Sequence, residues 1–361
     1  MWGGWHLRPV VPQNWDDVTP AWMEQAIARD HPDAKIAKVE IVTRDDGTNR
    51  RARFALSYAS GRGPKRVFIK AHAPSHRFVH LRNGNLFGEA RLFAGGTQLP
   101  LDHPHVYRAE PDYLHLDFLI VMEDLNLRGA DPRDATRPMN VDQVASGLRG
   151  LARLHREYWN FDHTSHPHLR FVKDWTPSQG WQVGLRKRVP IGMQRGADLL
   201  PASIAGFSPD RIVDDWAAYV GKLTGGDVTL LHGDAHIGNT YALPGDEVGF
   251  LDWQVVRRGH WSQDVGYFLM GSLTEQDCRA HERELLALYR DALQLPDDLL
   301  PGEAAVWQAY RASAAYGLAI WLSTLGTDGW QKPEISRALV SRYAAAHVAL
   351  ECDKALAEGS I

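Results

Sequence analysis

The chain changes its hydrophobic periodicity once, and this change restricts most strongly the folds that it can adopt. Before about residue 124, "KIAKVEIVTR" and "RARFALSYAS" alternate apolar and polar residues, and "HLDFLIVMEDL" is apolar nearly throughout, as strands are. Beyond that point, "NVDQVASGLRGLARLHREYWNF" and most of the chain after residue 273 repeat at helical spacing. Strands grouped ahead of helices predict an α+β fold in two parts, residues 1–124 and 125–361.

Local signals place the remaining elements. "RVFIKAHA" is predicted to be a strand that carries Lys70, and "NLFGEARLFAGG" a helix that carries Glu89 and ends at two glycines. Residues 160–210 are rich in His, Pro and Gly and show no clean period, so we expect an irregular insertion with one or two short helices. Around the turn "PGDE", "YAL" and "VGFL" are predicted to be two short strands.

Composition narrows the classes of function. The formal net charge of −4 offers no basic field for nucleic acid or an anionic membrane, and no window holds the roughly 18–20 apolar residues of a membrane helix. Cys278 and Cys352 lie far apart, which argues against a disulfide framework or a zinc site. The first residues show no signal-peptide pattern. We therefore expect a cytoplasmic monomer or homodimer with neither nucleic-acid nor membrane partners.

The stretch "LLHGDAHIGNTY", residues 230–241, combines an aspartate and an asparagine five residues apart in a polar loop. Transfer of a phosphoryl group from ATP to a hydroxyl needs a carboxylate near the hydroxyl, oxygen ligands for Mg²⁺ and a cation on the phosphates. Asp234 and Asn239 have the D-x-x-x-x-N spacing of kinase catalytic loops. Asp252 follows the strand "VGFL", and a hairpin of that length can return it to the loop.

These motifs mark a family. "HGDAHIGN", followed by "GFLDWQ" and "DVGYFL", resembles the aminoglycoside phosphotransferase and choline kinase-like superfamily, nearest its ecdysteroid kinase-like and uncharacterised bacterial phosphotransferase branch. The resemblance implies a protein kinase-like fold in two lobes. The N-terminal lobe, an antiparallel sheet plus one helix, would bind the nucleotide. The larger helical lobe would carry the catalytic residues and bind the acceptor. The resemblance also implies that ATP and Mg²⁺ are the cofactors and that a small-molecule hydroxyl is the acceptor.

The resemblance assigns roles to individual residues. Asp234 is expected to be the catalytic base, and Asn239 and Asp252 the metal ligands. Lys70 is expected to contact the α- and β-phosphates and to pair with Glu89. Asp264 in "DVGYFL" resembles the structural aspartate that supports the catalytic loop.

Two nucleotide-binding segments are implied less directly. The backbone near Glu123, Asp124 and Leu125 resembles the hinge that holds adenine. The phosphate-covering loop of the family is often rich in glycine, whereas "RDDGTNRRAR" contains one glycine. Its amides at Gly47, Thr48 and Asn49 are the corresponding positions.

Alternatives remain at this stage. "HGD" replaces the arginine-bearing motif of protein kinases, which disfavours a protein substrate. An aminoglycoside acceptor and an ATP-binding sensor without turnover remain open. Trp307, Tyr310, Trp321 and Trp330 are individually more consistent with helix packing, but any that face the cleft favour a bulky apolar or cationic alcohol.

Overall fold

A computed structural model describes residues 11–46, 49–73 and 86–358 of the chain. It divides into two compact units, Met1–Gln98 with Pro104–Gly129, and Leu99–His103 with Ala130–Ile361. The boundary expected after residue 124, and the binding roles assigned to its two sides, stay predictions.

The first unit is an antiparallel sheet with two helices. Its elements in the described residues are α1 (Pro20–Ile27), β1 (Lys35–Asp46), β2 (Asn49–Ser60), β3 (Arg66–His72), α2 (Gly88–Ala94), β4 (Val106–Asp112) and β5 (Asp117–Glu123). The strand order is β1–β2–β3–β5–β4, and every pair is antiparallel. The predicted strands and the predicted helix that carries Glu89 are therefore confirmed, and Gly95 caps α2 at the predicted stop.

Burial explains the position of β5 within this sheet. Every residue from Asp117 to Met122 is buried, because the strand is paired on both sides. Val67 and Ile69 of β3 and Met23 and Ile27 of α1 belong to the buried apolar core of the same unit. The Thr19 hydroxyl accepts a hydrogen bond from the Trp22 amide at 3.3 Å and so caps α1 at its start.

The sequence missed strand β4. Its residues, "VYRAEPD", are buried at every third position instead of every second, and they include Pro111. In this sheet β4 is at the edge and pairs only with β5, where a proline is tolerated because one side of the strand needs no ladder partner.

The second unit is mainly helical in its described residues. Its helices are α3 (Val141–Glu157), α4 (Gln179–Arg195), α5 (Ala202–Ala205), α6 (Pro209–Lys222), α7 (Ser262–Ser272), α8 (Glu275–Leu293), α9 (Glu303–Leu325), α10 (Pro333–Ala349) and α11 (Cys352–Ala357). Its short strands are β6 (Asp131–Pro132), β7 (Lys173–Asp174), β8 (Thr229–Leu231), β9 (Thr240–Ala242), β10 (Val248–Phe250) and β11 (Arg257–Gly259). They form two three-stranded sheets, in the orders β10–β9–β6 and β7–β11–β8.

Helices α7 and α9 form the centre of this unit. All residues of α7 are buried, and α9 is buried on nearly every side from Val306 to Leu325. A helix that is buried on all sides lies in the interior of its domain. No helix in the described part of the chain combines the length and the hydropathy that crossing a bilayer requires.

The prediction for residues 160–210 was wrong in one respect. The segment is not limited to short helices, because α4 extends over 17 residues and contains Pro190. The helix was not predicted because the segment contains proline and glycine, which are both unfavourable in helix interiors. Tertiary packing stabilises it instead: Gly192 lies directly against the backbone of Leu322 in α9.

Gly192→Ala tests that packing. A β-carbon at residue 192 would lie 1.8 Å from the Leu322 carbonyl oxygen, so we expect the free energy of unfolding to fall by at least about 2 kcal/mol in urea denaturation. Gly180→Ala is the matched control, since a β-carbon there meets no atom within 4 Å, and it should stabilise α4 slightly. Equal effects of the two substitutions would contradict the close approach of α4 to α9.

Candidate active site

The loop after β8 and the hairpin β9–β10 bring three predicted site residues into one region of the second unit. Strand β8 ends at Leu231, and a short 3-10 helix, Ile237–Asn239, ends the loop. The Leu251 amide donates to the Asn239 carbonyl at 2.9 Å, and His232 Nε2 donates to the Leu251 carbonyl at 3.0 Å. These bonds hold the end of β10, and therefore Asp252, beside the loop.

Asn239 is bonded directly to Asp234. Its Nδ2 donates to the Asp234 carbonyl oxygen at 2.9 Å and to the Asp234 carboxylate Oδ2 at 3.1 Å. With the amide nitrogen committed in this way, the amide oxygen of Asn239 is the atom left to face a ligand. The five-residue spacing thus produces one carboxylate and one amide oxygen in a fixed relation.

The site holds an excess of negative charge. Partial burial, reinforced by the charge of nearby Asp252, raises the pKa of Asp234 to about 7. The Asp234 side chain is still one-third exposed, so water screens part of this effect. Burial lowers the pKa of His236 to about 4 and also lowers that of His232, so both imidazoles are neutral near pH 7. A cation held between Asp234 and Asp252 would relieve their mutual repulsion.

The backbone of the site adopts two left-handed conformations. Asp252 has φ 65° and ψ 65°, which is uncommon and costly for a residue other than glycine. Gly233 has φ 82°, and a β-carbon there would lie 2.1 Å from the Val255 carbonyl oxygen. The glycine of the "HGD" motif is therefore required by both its dihedral angle and its packing.

Asp264 supports this loop from behind, in the structural role expected for it. The fully buried carboxylate accepts hydrogen bonds from the His232 amide at 2.6 Å and the Gly233 amide at 2.9 Å. His155 Nε2 lies 3.4 Å from the same carboxylate, and His155 Nδ1 is 2.8 Å from the Tyr289 hydroxyl. Asp264 thus links the loop to α3 and, through His155, to α8.

Lys70 and Glu89 form a buried ion pair within the first unit. Lys70 Nζ lies 2.6 Å from Glu89 Oε2, and each side chain is 7% exposed. Strand β3 and helix α2 carry the two residues. The pairing expected from the resemblance is therefore present in the structure; their contact with nucleotide stays a prediction.

The predicted hinge and phosphate loop also lie in the first unit. Asp124 is buried, pairs with Arg53 and Arg66 at 3.2 Å each, and accepts from the Asn126 amide. Glu123 Oε1 accepts from the His105 amide and Arg128, and the half-buried Leu125 begins a 3-10 helix. These side chains are engaged within the protein, so a nucleotide contact here would use the backbone.

The predicted phosphate loop is described only in part. Gly47 and Thr48 lie outside the described residues. Asn49 is buried at the first position of β2 and is paired with His72 in the sheet register. The contacts of all three with phosphate stay predictions.

An aromatic cluster adjoins the catalytic loop. It consists of His236, Tyr267, Tyr316, Trp321 and Tyr343, with ring centroids 5.1 Å apart for His236–Trp321 and 5.8 Å apart for His236–Tyr267. Tyr267 Oη and Trp321 Nε1 are buried without a well-formed hydrogen bond to any described residue. Sequence reasoning missed the tyrosines, because buried tyrosines at helical spacing resemble ordinary core residues.

The other aromatic residues singled out in the sequence lie elsewhere. The guanidinium carbon of Arg283 lies 3.3 Å from the centroid of the Trp307 ring, and Tyr310 packs beside the same ring. Trp330 is 50% exposed and lies below Arg188. Among the four, only Trp321 contacts a residue of the loop in the described structure.

Comparisons with known proteins agree with this geometry. A model described as the ecdysteroid kinase-like family matches residues 206–298, which include the loop, Asp252 and Asp264. No curated protein matches the chain.

Two solved structures have the same fold. A candidate aminoglycoside phosphotransferase from Ralstonia eutropha JMP134 is 16% identical, with a TM-score of 0.54 over 91% of this chain and 97% of that one. Spectinomycin phosphotransferase APH(9)-Ia, solved with ADP and spectinomycin, is 14% identical, with a TM-score of 0.51 over 91% of this chain and 98% of that one. The fold is therefore protein kinase-like. The family-model match and this shared fold agree with the resemblance to the aminoglycoside phosphotransferase and choline kinase-like superfamily.

Asp264→Asn tests the support of the loop. The amide nitrogen that replaces one carboxylate oxygen cannot accept the bond from His232 or Gly233, so we expect the free energy of unfolding to fall by about 2–4 kcal/mol. Asp297→Asn, at an exposed aspartate, should change it by less than about 0.5 kcal/mol in the same urea denaturation. An unchanged free energy of unfolding in Asp264→Asn would show that the loop keeps its structure without this carboxylate.

Proposed function

We propose that the protein is an ATP- and Mg²⁺-dependent kinase that phosphorylates a hydroxyl of a small molecule. The observation that carries the proposal is the direct bonding of Asn239 to Asp234, with Asp252 held beside them by the β10 end. This arrangement supplies a carboxylate for a hydroxyl and two further oxygen ligands in one loop, as phosphoryl transfer requires.

Asp234 would orient the acceptor hydroxyl and accept its proton. Asn239 holds carboxylate Oδ2, which leaves Oδ1 for the acceptor. The side chain is one-third exposed, so a small molecule can reach it from solvent. A base whose pKa lies near 7 is close to the optimum for proton transfer at neutral pH.

Asn239 and Asp252 would hold the metal ion. Amide and carboxylate oxygens are the hard ligands that Mg²⁺ prefers, and the repulsion between the charges of Asp234 and Asp252 favours a cation there. A bound Mg²⁺ would neutralise the phosphate oxygens during transfer. The left-handed backbone of Asp252 directs this carboxylate at a cost that folding tolerates.

Nucleotide binding is assigned to the first unit. Lys70 would contact the α- and β-phosphates, and its ion pair with Glu89 fixes its position and keeps it charged. The backbone at Glu123, Asp124 and Leu125 would bind adenine, and Gly47, Thr48 and Asn49 would cover the phosphates.

The aromatic cluster supports a fairly hydrophobic or cationic alcohol as the acceptor. Its rings offer apolar area and π faces near Asp234. A polycationic aminoglycoside would bind more favourably in a cleft lined by acidic side chains.

ADP release across an acceptor panel tests the activity. The panel holds choline, hydrophobic alcohols, sterols, sugars and aminoglycosides, each with Mg·ATP. Asp234→Asn should reduce acceptor-dependent kcat by about 10²–10⁴-fold while ATP binding persists, because the proton acceptor is lost. Asp252→Asn should lower the rate and raise the Mg²⁺ concentration needed for half of the maximal rate, because a metal ligand is lost, and Asp297→Asn is the control that should match the wild type.

Other outcomes have defined meanings. If aminoglycosides are the only compounds of the panel that are phosphorylated, the acceptor is an aminoglycoside and not a hydrophobic or cationic alcohol. ATP binding with no turnover on any acceptor would favour a ligand sensor. Unchanged kcat in Asp234→Asn would contradict its role as the base.

Trp321→Leu tests the acceptor pocket. Loss of the indole beside His236 should raise the KM for an apolar or cationic acceptor about tenfold and leave the KM for ATP unchanged. Trp330→Leu is the control, since this exposed tryptophan lies against Arg188 and not against the loop. Parallel changes of both KM values would indicate a general loss of structure instead of a lost acceptor contact.

A further inference from the structure

Three helices of the second unit meet at a group of side chains that the proposed activity does not use. Asp215 of α6, His347 of α10 and Asp353 of α11 each offer one ligand atom, and these atoms lie within 4.8 Å of one another. In the described ranges, no other set of at least three His, Cys, Asp or Glu residues has this spacing. We call these residues the Asp–His–Asp cluster.

His347 is directed into this cluster without a hydrogen bond. The residue is 3% exposed, and neither ring nitrogen has a hydrogen-bond partner among the described residues. Its Nε2 lies 3.6 Å from Asp353 Oδ1, beyond hydrogen-bond distance, and the Phe207 ring packs against the imidazole. This nitrogen therefore faces a carboxylate without being bonded to it, which leaves its lone pair able to coordinate a ligand.

Asp215 also has an unsatisfied atom. Its buried Oδ2 has no hydrogen-bond partner in the described structure, and Arg211 Nε is 3.7 Å away. Burial, together with the charge of Asp353, raises the pKa of Asp215 to about 6. Burial also lowers the pKa of His347 to about 4, so the imidazole is in the neutral form that binds metals.

Arg211 compensates only part of the negative charge. Its Nη2 lies 2.5 Å from Asp353 Oδ2, which leaves Oδ1 of the same carboxylate turned towards His347. One guanidinium therefore faces two carboxylates. The Arg211 side chain is further held by stacking on Phe207, 3.6 Å from its ring centroid.

We propose that the Asp–His–Asp cluster binds a divalent transition-metal ion, with Zn²⁺ as the representative case. One imidazole nitrogen and two carboxylate oxygens suit Zn²⁺, whereas Mg²⁺ and Ca²⁺ prefer oxygen alone. Tetrahedral Zn²⁺ places its ligand atoms about 3.4 Å apart, so the 4.8 Å cluster needs to close by about an ångström. Asp353 is 43% exposed, so its side chain has room to make that adjustment while Oδ2 keeps its bond to Arg211.

A metal ion here would join the end of the chain to the body of the unit. Its ligands come from α6, α10 and α11, and α11 is the last helix. Binding to the folded state alone stabilises that state, so Zn²⁺ should raise the unfolding temperature. This proposal does not depend on the proposed kinase activity.

Zn²⁺ titration of the full-length chain by calorimetry tests the site. Excess Mg²⁺ is present to occupy oxygen sites, and no nucleotide is added. The wild type should bind one Zn²⁺, and His347→Gln should weaken the affinity at least about tenfold. His281→Gln is the matched control, because that histidine of α8 is 39% exposed and pairs only with Glu284 in the described structure.

Thermal unfolding with and without Zn²⁺ gives a second readout. The Zn²⁺-dependent rise should be lost in His347→Gln and in Asp215→Asn and retained in His281→Gln. Circular dichroism establishes that each variant is folded, and Asp353→Asn replaces either variant that is not. Absence of Zn²⁺ binding by the folded wild type, or wild-type affinity in the folded cluster variants, would overturn the proposal.

Discussion

The carboxylate of Asp264 is the interaction on which the catalytic region depends. It accepts hydrogen bonds from the backbone amides of His232 and Gly233. It also lies close to His155, which contacts the Tyr289 hydroxyl. Hydrogen bonds to a charged acceptor are worth more than neutral ones, particularly where water is excluded. Because Asp264 lies on helix α7, the loop is attached to an element whose residues are all buried.

A partly buried aspartate beside a neutral histidine occurs twice in the second unit. At the catalytic loop and at the Asp–His–Asp cluster, burial raises the pKa of one aspartate and keeps a nearby histidine neutral. Each place thereby combines an excess of negative charge with uncharged nitrogen. The surroundings differ: hard oxygen ligands adjoin Asp234, whereas imidazole nitrogen joins the carboxylates at His347.

Much of the fold could be predicted, because alternating strands, capped helices and the β9–β10 turn depend on local patterns. Strand β4 and helix α4 could not, since an edge position tolerates Pro111 and packing on α9 sustains a helix that contains Pro190. The Lys70–Glu89 pair and the support from Asp264 were expected from the family resemblance. The tyrosines near His236 were not, because distant helices bring them together.

The sequence by itself determined the division into a strand-rich part and a helical part, the chemical types of the motif residues and the five-residue spacing of Asp234 and Asn239. Such features are short in range, since neighbouring residues decide backbone conformation and ligand type. Only the tertiary structure decided which buried groups lack partners and which charges are left uncompensated. These properties arise where Asp215, His347 and Asp353 meet from separate helices, and burial there raises the pKa of Asp215 and lowers that of His347.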